Sequence, residues 1–462
     1  MPIDLNKIKK IYFIGLKGVA MSGLALICQK RGLAVFGSDV KEKFITDEIL
    51  KQAGIEAYAG FDPSHLDDRP DLAVIGASWG DDNSEVLAVK ERRIPFITDS
   101  ELRGLLSREK RTIAITGVHG KTTTTALLAY LFDRAGLKPS FLIGTGAVPD
   151  LGANAAWGAG AHFIVEGDEY AKSRSDKTPK FLDLDPAVSV ITSLEWEHVD
   201  VFRDLAIMEE YFRKLIEKTR DLIVACGDWP SISKIIAGHE AKVATYGFKK
   251  HNRWQAFNLK PEFDQTRFKV KNEDKDLGEF SLKLFGEHNV LNGLAAIIVG
   301  LNEGIELETI RETIRNFSGA RRRFEVKEKN GVIFVDDYAH HPTEIKTTLK
   351  AIRQRYSDKP IYCVFQPHTV SRTKALLADF AGSFKLADKV IIADIFASAR
   401  EPVSDFTSKD LTQEIKKHQP GAIYGGGLNQ ISEYLKDKIE PGTVLVTMGA
   451  GDVYRVRDKL LA

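Results

Sequence analysis

Short runs of apolar and β-branched residues recur along the chain, separated by stretches in which apolar positions return with helical spacing. Ile11-Tyr-Phe-Ile14, Ala34-Val-Phe36, Leu72-Ala-Val-Ile75 and Phe96-Ile97 form a first set. Such brief, nearly continuous apolar runs read as strands buried on both faces, and their alternation with helices predicts a parallel α/β sheet. A second set comprises Thr112-Ile-Ala-Ile-Thr116, Phe163-Ile-Val165, Val188-Ser-Val-Ile-Thr192 and Leu222-Ile-Val-Ala225. From about residue 252 to 285 the pattern becomes polar and alternating, which predicts antiparallel hairpins, and helices follow near 289–302 and 307–316. A third set, Val332-Ile-Phe-Val335, Ile361-Tyr-Cys-Val-Phe365, Val390-Ile-Ile-Ala393 and Val444-Leu-Val446, predicts another doubly wound sheet. A helix capped by Asp99 or Ser100 runs into the charged stretch Ser107–Arg111, read as a first linker, and Ser318-Gly319 with Arg321-Arg-Arg323 marks a second boundary. The organisation expected is three α/β domains, 1–108, 109–318 and 319–462.

Composition adds exclusions. A chain of 462 residues has room for roughly three domains of about 150 residues. With 65 basic against 64 acidic residues the net charge is +1, so neither nucleic acid nor a membrane surface is an expected partner. The three cysteines, Cys28, Cys226 and Cys363, are far apart and set in apolar runs, which fits a reduced compartment rather than disulfides or a metal site. There is no signal-peptide pattern and no apolar stretch approaching about 18 residues, so a cytoplasmic protein is expected.

Gly117-Val-His-Gly-Lys-Thr122 follows one strand pattern and opens a helical one, as a phosphate-binding loop does. Backbone amides of the turn, the positive helix end and the Lys121 ammonium can surround phosphates while Thr122 offers a hydroxyl to Mg²⁺. Ile115 stands where the eight-residue pattern has its first glycine, so the loop is a shortened variant. Glu166-Gly-Asp-Glu169 and Glu195-Trp-Glu-His198 each follow a buried strand, which puts hard oxygen ligands and an imidazole at the same sheet edge. A second glycine turn, Gly15-Leu-Lys-Gly18, precedes a helix carrying Ser22, with Asp39 ending the next strand. Its spacing departs from the dinucleotide fingerprint; Lys17 favours a diphosphate and Asp39 a sugar hydroxyl, while a plain packing turn is the bland alternative.

His288, Asn289 and Asn292 open a helix, where amide side chains can read an adenine edge or simply cap. Arg321-Arg-Arg-Phe324 is either a solvated basic run or a source of charge for a transferring phosphoryl group. Asp336-Asp-Tyr-Ala-His-His-Pro342 concentrates two carboxylates, a phenol and two imidazoles after a strand, which packing does not explain. Phe365-Gln-Pro-His368 with Arg372 repeats that placement after the following strand, and His with Arg suits a carboxylate ligand. An NAD-dependent oxidoreductase would use the first glycine turn but leaves Lys121 unexplained; a nucleotide-sensing binding protein leaves the 336–342 cluster unexplained.

Taken in order and spacing, Gly117-x-His-Gly-Lys-Thr, Glu166-x-Asp-Glu, Gly286-x-His-Asn-x-x-Asn, Arg322-Arg-Phe, Asp336-Asp-Tyr-x-His-His-Pro and Phe365-Gln-Pro-His resemble the Mur ligase family over essentially the whole chain. The resemblance implies a Rossmann-like UDP-sugar domain, a central P-loop-type ATPase domain and a Rossmann-like domain that brings an amino acid. It implies ATP and Mg²⁺, with UDP-N-acetylmuramate and L-alanine as substrates joined through an acyl phosphate, in a monomer or homodimer. By carry-over, Gly117, His119, Gly120, Lys121, Thr122, Thr123, His288, Asn289, Asn292, Arg323 and Asp337 lie at ATP, and Thr122, Glu166 and His198 serve the metal. Lys121, Glu166, His198, Arg323 and His340 carry the chemistry, Tyr338, His340, His368 and Arg372 surround the amino acid, and Gly15, Lys17, Gly18, Ser22 and Asp39 hold the UDP-sugar. The region from Glu169-Tyr170 to Asp176-Lys177-x-x-Lys-Phe181, with Leu194–Phe202, is more similar to the branch that recycles a murein tripeptide onto the same UDP-sugar.

Overall fold

The computed structural model describes residues 3–197, 201–239, 242–262, 264–396 and 405–462. They form two compact units: the first comprises Met1–Ala256, Val270–Leu277 and Leu291–Phe317, the second Phe257–Lys269, Gly278–Val290 and Ser318–Ala462.

The first unit holds two sheets. One contains β1 (Lys10–Ile14), β2 (Ala34–Asp39), β3 (Glu56–Ala59), β4 (Leu72–Ile75) and β5 (Phe96–Thr98), all parallel, in the order β3-β2-β1-β4-β5. The connections leave β1 towards opposite sides, so its C-terminal end is the switch point where such sheets bind ligands. Tyr12, Phe13 and Leu24 are fully buried there, and Gly23 in helix Val19–Lys30 has no room for a side chain beside Leu142.

The second sheet is centred on β6 (Arg111–Thr116), followed in sequence by β7 (Ser140–Leu142), β8 (Ala155–Ala156), β9 (His162–Glu166), β10 (Val188–Ile191), β11 (Leu222–Cys226) and β12 (Val243–Gly247). Their order is β12-β11-β10-β6-β9-β7-β8, parallel except for β8. Here β6 is the switch point, flanked by β9 and β10. The polar region forms β13 (Trp254–Pro261), β14 (Thr266–Asn272) and β15 (Lys275–Leu282), neighbours joined by short turns as expected. Helices Glu287–Asn302 and Leu307–Asn316 follow where the apolar spacing predicts them.

The helix before β6 spans Asp99–Arg108, and its cap is Thr98 rather than Asp99 or Ser100. Thr98 and Glu101 exchange the reciprocal bonds of a capping box. The stretch 107–111 is no slack tether: Ser107 is buried and receives the Asp185 N–H at 3.0 Å, while Arg111 already belongs to β6 and bonds Glu303 at 2.8 and 2.9 Å.

The second unit's sheet contains β16 (Glu325–Lys329), β17 (Val332–Asp337), β18 (Ile361–Phe365), β19 (Lys389–Ala393), β20 (Ile423–Gly426) and β21 (Val444–Met448). Their order is β16-β17-β21-β18-β19-β20, with only the β16–β17 hairpin antiparallel. Apolar clusters cover both faces, one around Val335, Ile345 and Phe365, the other around Phe334, Val364 and Leu445. The three cysteines are buried and free. Among the described residues no helix is long and apolar enough to cross a membrane.

Candidate functional site

The loop at the C-terminal end of β6 is shaped by two glycines in the left-handed region, Gly117 at φ 113° and Gly120 at φ 83°. A β-carbon at 117 would lie 2.8 Å from the Ser193 backbone, and one at 120 would collide with Asn292 Oδ1, so both sequence and space demand glycine. Helix Lys121–Arg134 starts directly after Gly120, which leaves its first amides facing the loop. The end of β10 braces the turn: Ser193 Oγ accepts the His119 N–H at 2.7 Å and Thr192 Oγ1 donates to Thr116 O at 2.9 Å. The His119 ring contacts the Glu195 carboxylate.

Lys121 Nζ donates to Gly117 O at 2.7 Å and Val118 O at 3.2 Å, and pairs with Glu169 Oε2 at 2.8 Å. Burial works against its charge, but Glu169 and then Glu166 outweigh that and raise its pKa. Burial pushes the Glu169 carboxyl up to about 7 against the pull of Lys121. Thr122 Oγ1 donates to Glu166 Oε1 at 3.0 Å, and Glu166 Oε2 receives the Gly144 N–H at 2.8 Å. A hydroxyl and a carboxylate thus meet beside the ammonium, a donor set of hard oxygens that fits a divalent cation such as Mg²⁺. Thr123 is buried in the first turn, and Thr124 bonds Asn292 at 3.2 Å. His198, expected as a third metal ligand, lies outside the described residues.

At the switch point of the other sheet, Gly15 adopts φ 90° and packs under the Trp79 ring. Asp39 is buried and receives the N–H groups of Lys17 at 2.7 Å and Val40 at 2.8 Å. Burial raises its pKa, and those two amides oppose the rise. The Lys17 ammonium donates to Val40 O and Glu42 O, both at 3.0 Å. Ser22 is buried and bonds Val19 O, and Gly18 caps its helix. Of the five residues named for the UDP-sugar, Gly15, Lys17 and Gly18 belong to the turn after β1, Ser22 to the helix that follows and Asp39 to the end of β2; Asp39 bonds the turn itself and Lys17 the loop after β2.

In the second unit, Asp337 at the end of β17 accepts from Phe324 N and Ala339 N, each at 2.8 Å, and burial lifts its pKa to about 6 with Arg323 opposing. The Arg323 guanidinium lies 4.9 Å from the Tyr338 ring centroid. Its neighbour Arg322, named from the sequence only as part of the basic run, bonds Asp336 Oδ2 at 3.1 Å, Gly451 O at 2.7 Å and Gly449 O at 2.6 Å. It thereby ties β17 to the turn after β21. His340 sits 5.4 Å from Tyr338 and 6.4 Å from His368 between ring centroids, while His368 stacks on Phe396. His341 and Glu344 form the capping box of helix Pro342–Arg355. Arg372 is buried in helix Val370–Ala375, one turn beyond His368. His288 packs under Gly286, and Asn289 donates to Phe285 O at 2.8 Å.

From the sequence, Glu169 was named only within the Glu166-Gly-Asp-Glu169 motif and Ser193 was given no role. Glu169 closes the Glu166-x-Asp-Glu motif, so a signal existed; Ser193 acts through one hydroxyl, which no pattern marks.

Three domain families match the chain in succession: "Mur ligase family, catalytic domain" over residues 10–111, "Mur ligase middle domain" over 115–300 and "Mur ligase, glutamate ligase domain" over 322–451. A UDP-N-acetylmuramate–L-alanine ligase of Caldanaerobacter subterraneus is 39% identical, covering 100% of this chain and 99% of its own. The crystal structure of a UDP-N-acetylmuramate–alanine ligase from Thermotoga maritima superposes with a TM-score of 0.82 at 26% identity, over 98% of each chain. A Neisseria UDP-N-acetylmuramate:L-alanyl-γ-D-glutamyl-meso-diaminopimelate ligase is 30% identical with a TM-score of 0.62, covering 68% of this chain and 100% of its own.

Proposed function

The chain belongs to the Mur ligase family, and from that premise we propose that it joins L-alanine to UDP-N-acetylmuramate at the expense of ATP, in peptidoglycan synthesis. The observation that carries the reading is the loop after β6, where left-handed glycines, Lys121, Thr122 and Glu166 converge on one phosphate-sized turn. Full-length similarity to curated L-alanine ligases supports the substrate pair.

The chemistry proceeds in two transfers. The carboxylate of UDP-N-acetylmuramate attacks the γ-phosphorus of ATP, and ADP leaves, giving an acyl phosphate. The amine of L-alanine then attacks the acyl carbon, the C–O bond breaks with its electron pair going to the departing inorganic phosphate, and the nitrogen gives up a proton as the amide forms. Loop amides 117–121 and the Lys121 ammonium bind the phosphates and stabilise the charge that develops on them. Thr122 and Glu166, with His198 by family likeness, would hold Mg²⁺, which neutralises phosphate charge when bound. In this reading Gly117, His119, Gly120, Thr123, His288, Asn289, Asn292, Arg323 and Asp337 line the ATP site. Gly15, Lys17, Gly18, Ser22 and Asp39 hold the UDP-sugar, and Tyr338, His340, His368 and Arg372 receive the amino acid. The functional domains are 1–108, 109–318 and 319–462, acting as a monomer or homodimer in the cytoplasm.

An omission assay tests this. Phosphate release is expected only when ATP, UDP-N-acetylmuramate and L-alanine are all present; release without the UDP-sugar, or none with all three, overturns it.

A further inference from the structure

Four charged side chains outside the set assigned above meet in the first unit, Asp99 and Arg103 buried, Asp168 and Lys180 partly exposed. Asp99 and Arg103 belong to helix Asp99–Arg108, Asp168 to the loop after β9, and Lys180 to the 3₁₀ helix Lys180–Asp183. Arg103 divides its guanidinium between two carboxylates: Nη2 bonds Asp99 Oδ2 at 2.5 Å and Nη1 bonds Asp168 Oδ2 at 2.8 Å. Nη1 also lies 3.5 Å from Glu166 O. Lys180 Nζ completes the set on Asp99 at 2.9 and 2.7 Å. Two cations face two anions, and the pairing offsets the removal of Asp99 and Arg103 from water.

The direction of these contacts relative to the phosphate loop is informative. Along Glu166-Gly-Asp168-Glu169 the outer carboxylates turn to Thr122 and Lys121, whereas Asp168 turns to Arg103. The loop is tied down again by Gly167 N to Ile115 O at 2.8 Å and Phe181 N to Asp168 O at 3.1 Å. The arginine helix is seated directly on the 3₁₀ helix, since a β-carbon at Gly104 would lie 2.6 Å from Asp183 O. Arg103 thus holds the middle of the segment whose two ends serve the nucleotide loop.

We propose that Arg103 is a positioning residue for phosphoryl transfer: by gripping Asp168 it keeps Glu166 and Glu169 aimed at Thr122 and Lys121. The grip is an ion pair, with Arg103 Nη1 at 2.8 Å from Asp168 Oδ2. Lysine cannot replace the arginine, because a single ammonium cannot reproduce the planar fork that reaches two carboxylates. The inference rests on the ATP site proposed above.

The test compares wild type with Arg103→Lys, Arg103→Met, Asp168→Asn and the double variant Arg103→Met/Asp168→Asn. The readouts are kcat, KM for each substrate, the Mg²⁺ concentration giving half-maximal rate, and Tm. Each single variant is expected to lose about 10- to 100-fold in kcat and to need more Mg²⁺, as a small misplacement of reacting groups does, with KM for UDP-N-acetylmuramate little changed. The double variant is expected within about threefold of the worse single one, because both remove the same contact. A purely structural network would lower Tm but leave kcat and Mg²⁺ demand of the folded enzyme untouched. That result in Asp168→Asn or Arg103→Lys overturns the proposal, as does failure of both conservative variants to fold. Absence of turnover in wild type would instead remove the ATP-site reading itself.

Discussion

Lys121 is surrounded by two carbonyl oxygens and a buried carboxylate, so its ammonium is held where a phosphate would have to arrive. Lys121→Met is expected to lower kcat by roughly 10²–10³, the usual loss for one charge-stabilising donor, in a folded protein. A folded variant with wild-type phosphate release would remove Lys121 from the chemistry. Glu169 gives a second test at the same position. Its folded pKa, about 7, lies above the ordinary 4.5, so its contribution to stability is complete below 4.5 and disappears as pH rises through about 7. Melting temperatures of wild type and Glu169→Gln across that window are expected to show wild type losing ground to the variant with rising pH; parallel curves would contradict the buried-acid reading. Lys121 was legible from the sequence because a glycine turn, a lysine and a threonine between strand and helix form a local pattern. The pairing of Arg103, Asp168 and Lys180 was not, since they meet only after three distant segments fold together.

At the scale of elements, the switch-point loop is set by backbone conformation more than by side chains. Gly120 caps helix Lys121–Arg134 at φ 83° and touches Asn292. Gly120→Ala is expected to cost about 1–2 kcal/mol from the left-handed conformation, before any clash with Asn292. It should lower Tm and raise KM for ATP together; unchanged values of both would mean that the loop adjusts freely. Buried strands such as Val188–Ile191 and Leu222–Cys226 announced themselves as apolar runs, as did the helices beginning at Glu287 and Leu307. The strands β3, β7, β8, β12, β16 and β20 did not. Glu56–Ala59 and Glu325–Lys329 are half exposed and carry charges, and Ala155–Ala156 is too short for any period. The Thr98 cap was misjudged by one residue because Asp99 and Ser100 are equally good caps by type; burial of Asp99 against Arg103 and Lys180 decides it.

For the molecule as a whole, the two glycine turns lie at the switch points of different sheets. Lys17→Ala is therefore expected to weaken UDP-N-acetylmuramate binding in calorimetric titration and to leave ATP binding intact; loss of ATP binding alone would reverse the two assignments. The three α/β sheets were visible in the alternation of apolar runs, while the grouping into two compact units, with residues 257–269 and 278–290 joining the C-terminal sheet's unit, has no local sequence signal. The central claim is the identity of the acceptor amine, and one competition assay tests it directly. L-Alanine, glycine, L-serine and the L-Ala-γ-D-Glu-diaminopimelate tripeptide are supplied at equal concentration with ATP and UDP-N-acetylmuramate, and the products are separated by mass. L-Alanine is expected to show the highest kcat/KM and to dominate the product; preferential formation of the tripeptide conjugate would contradict the account.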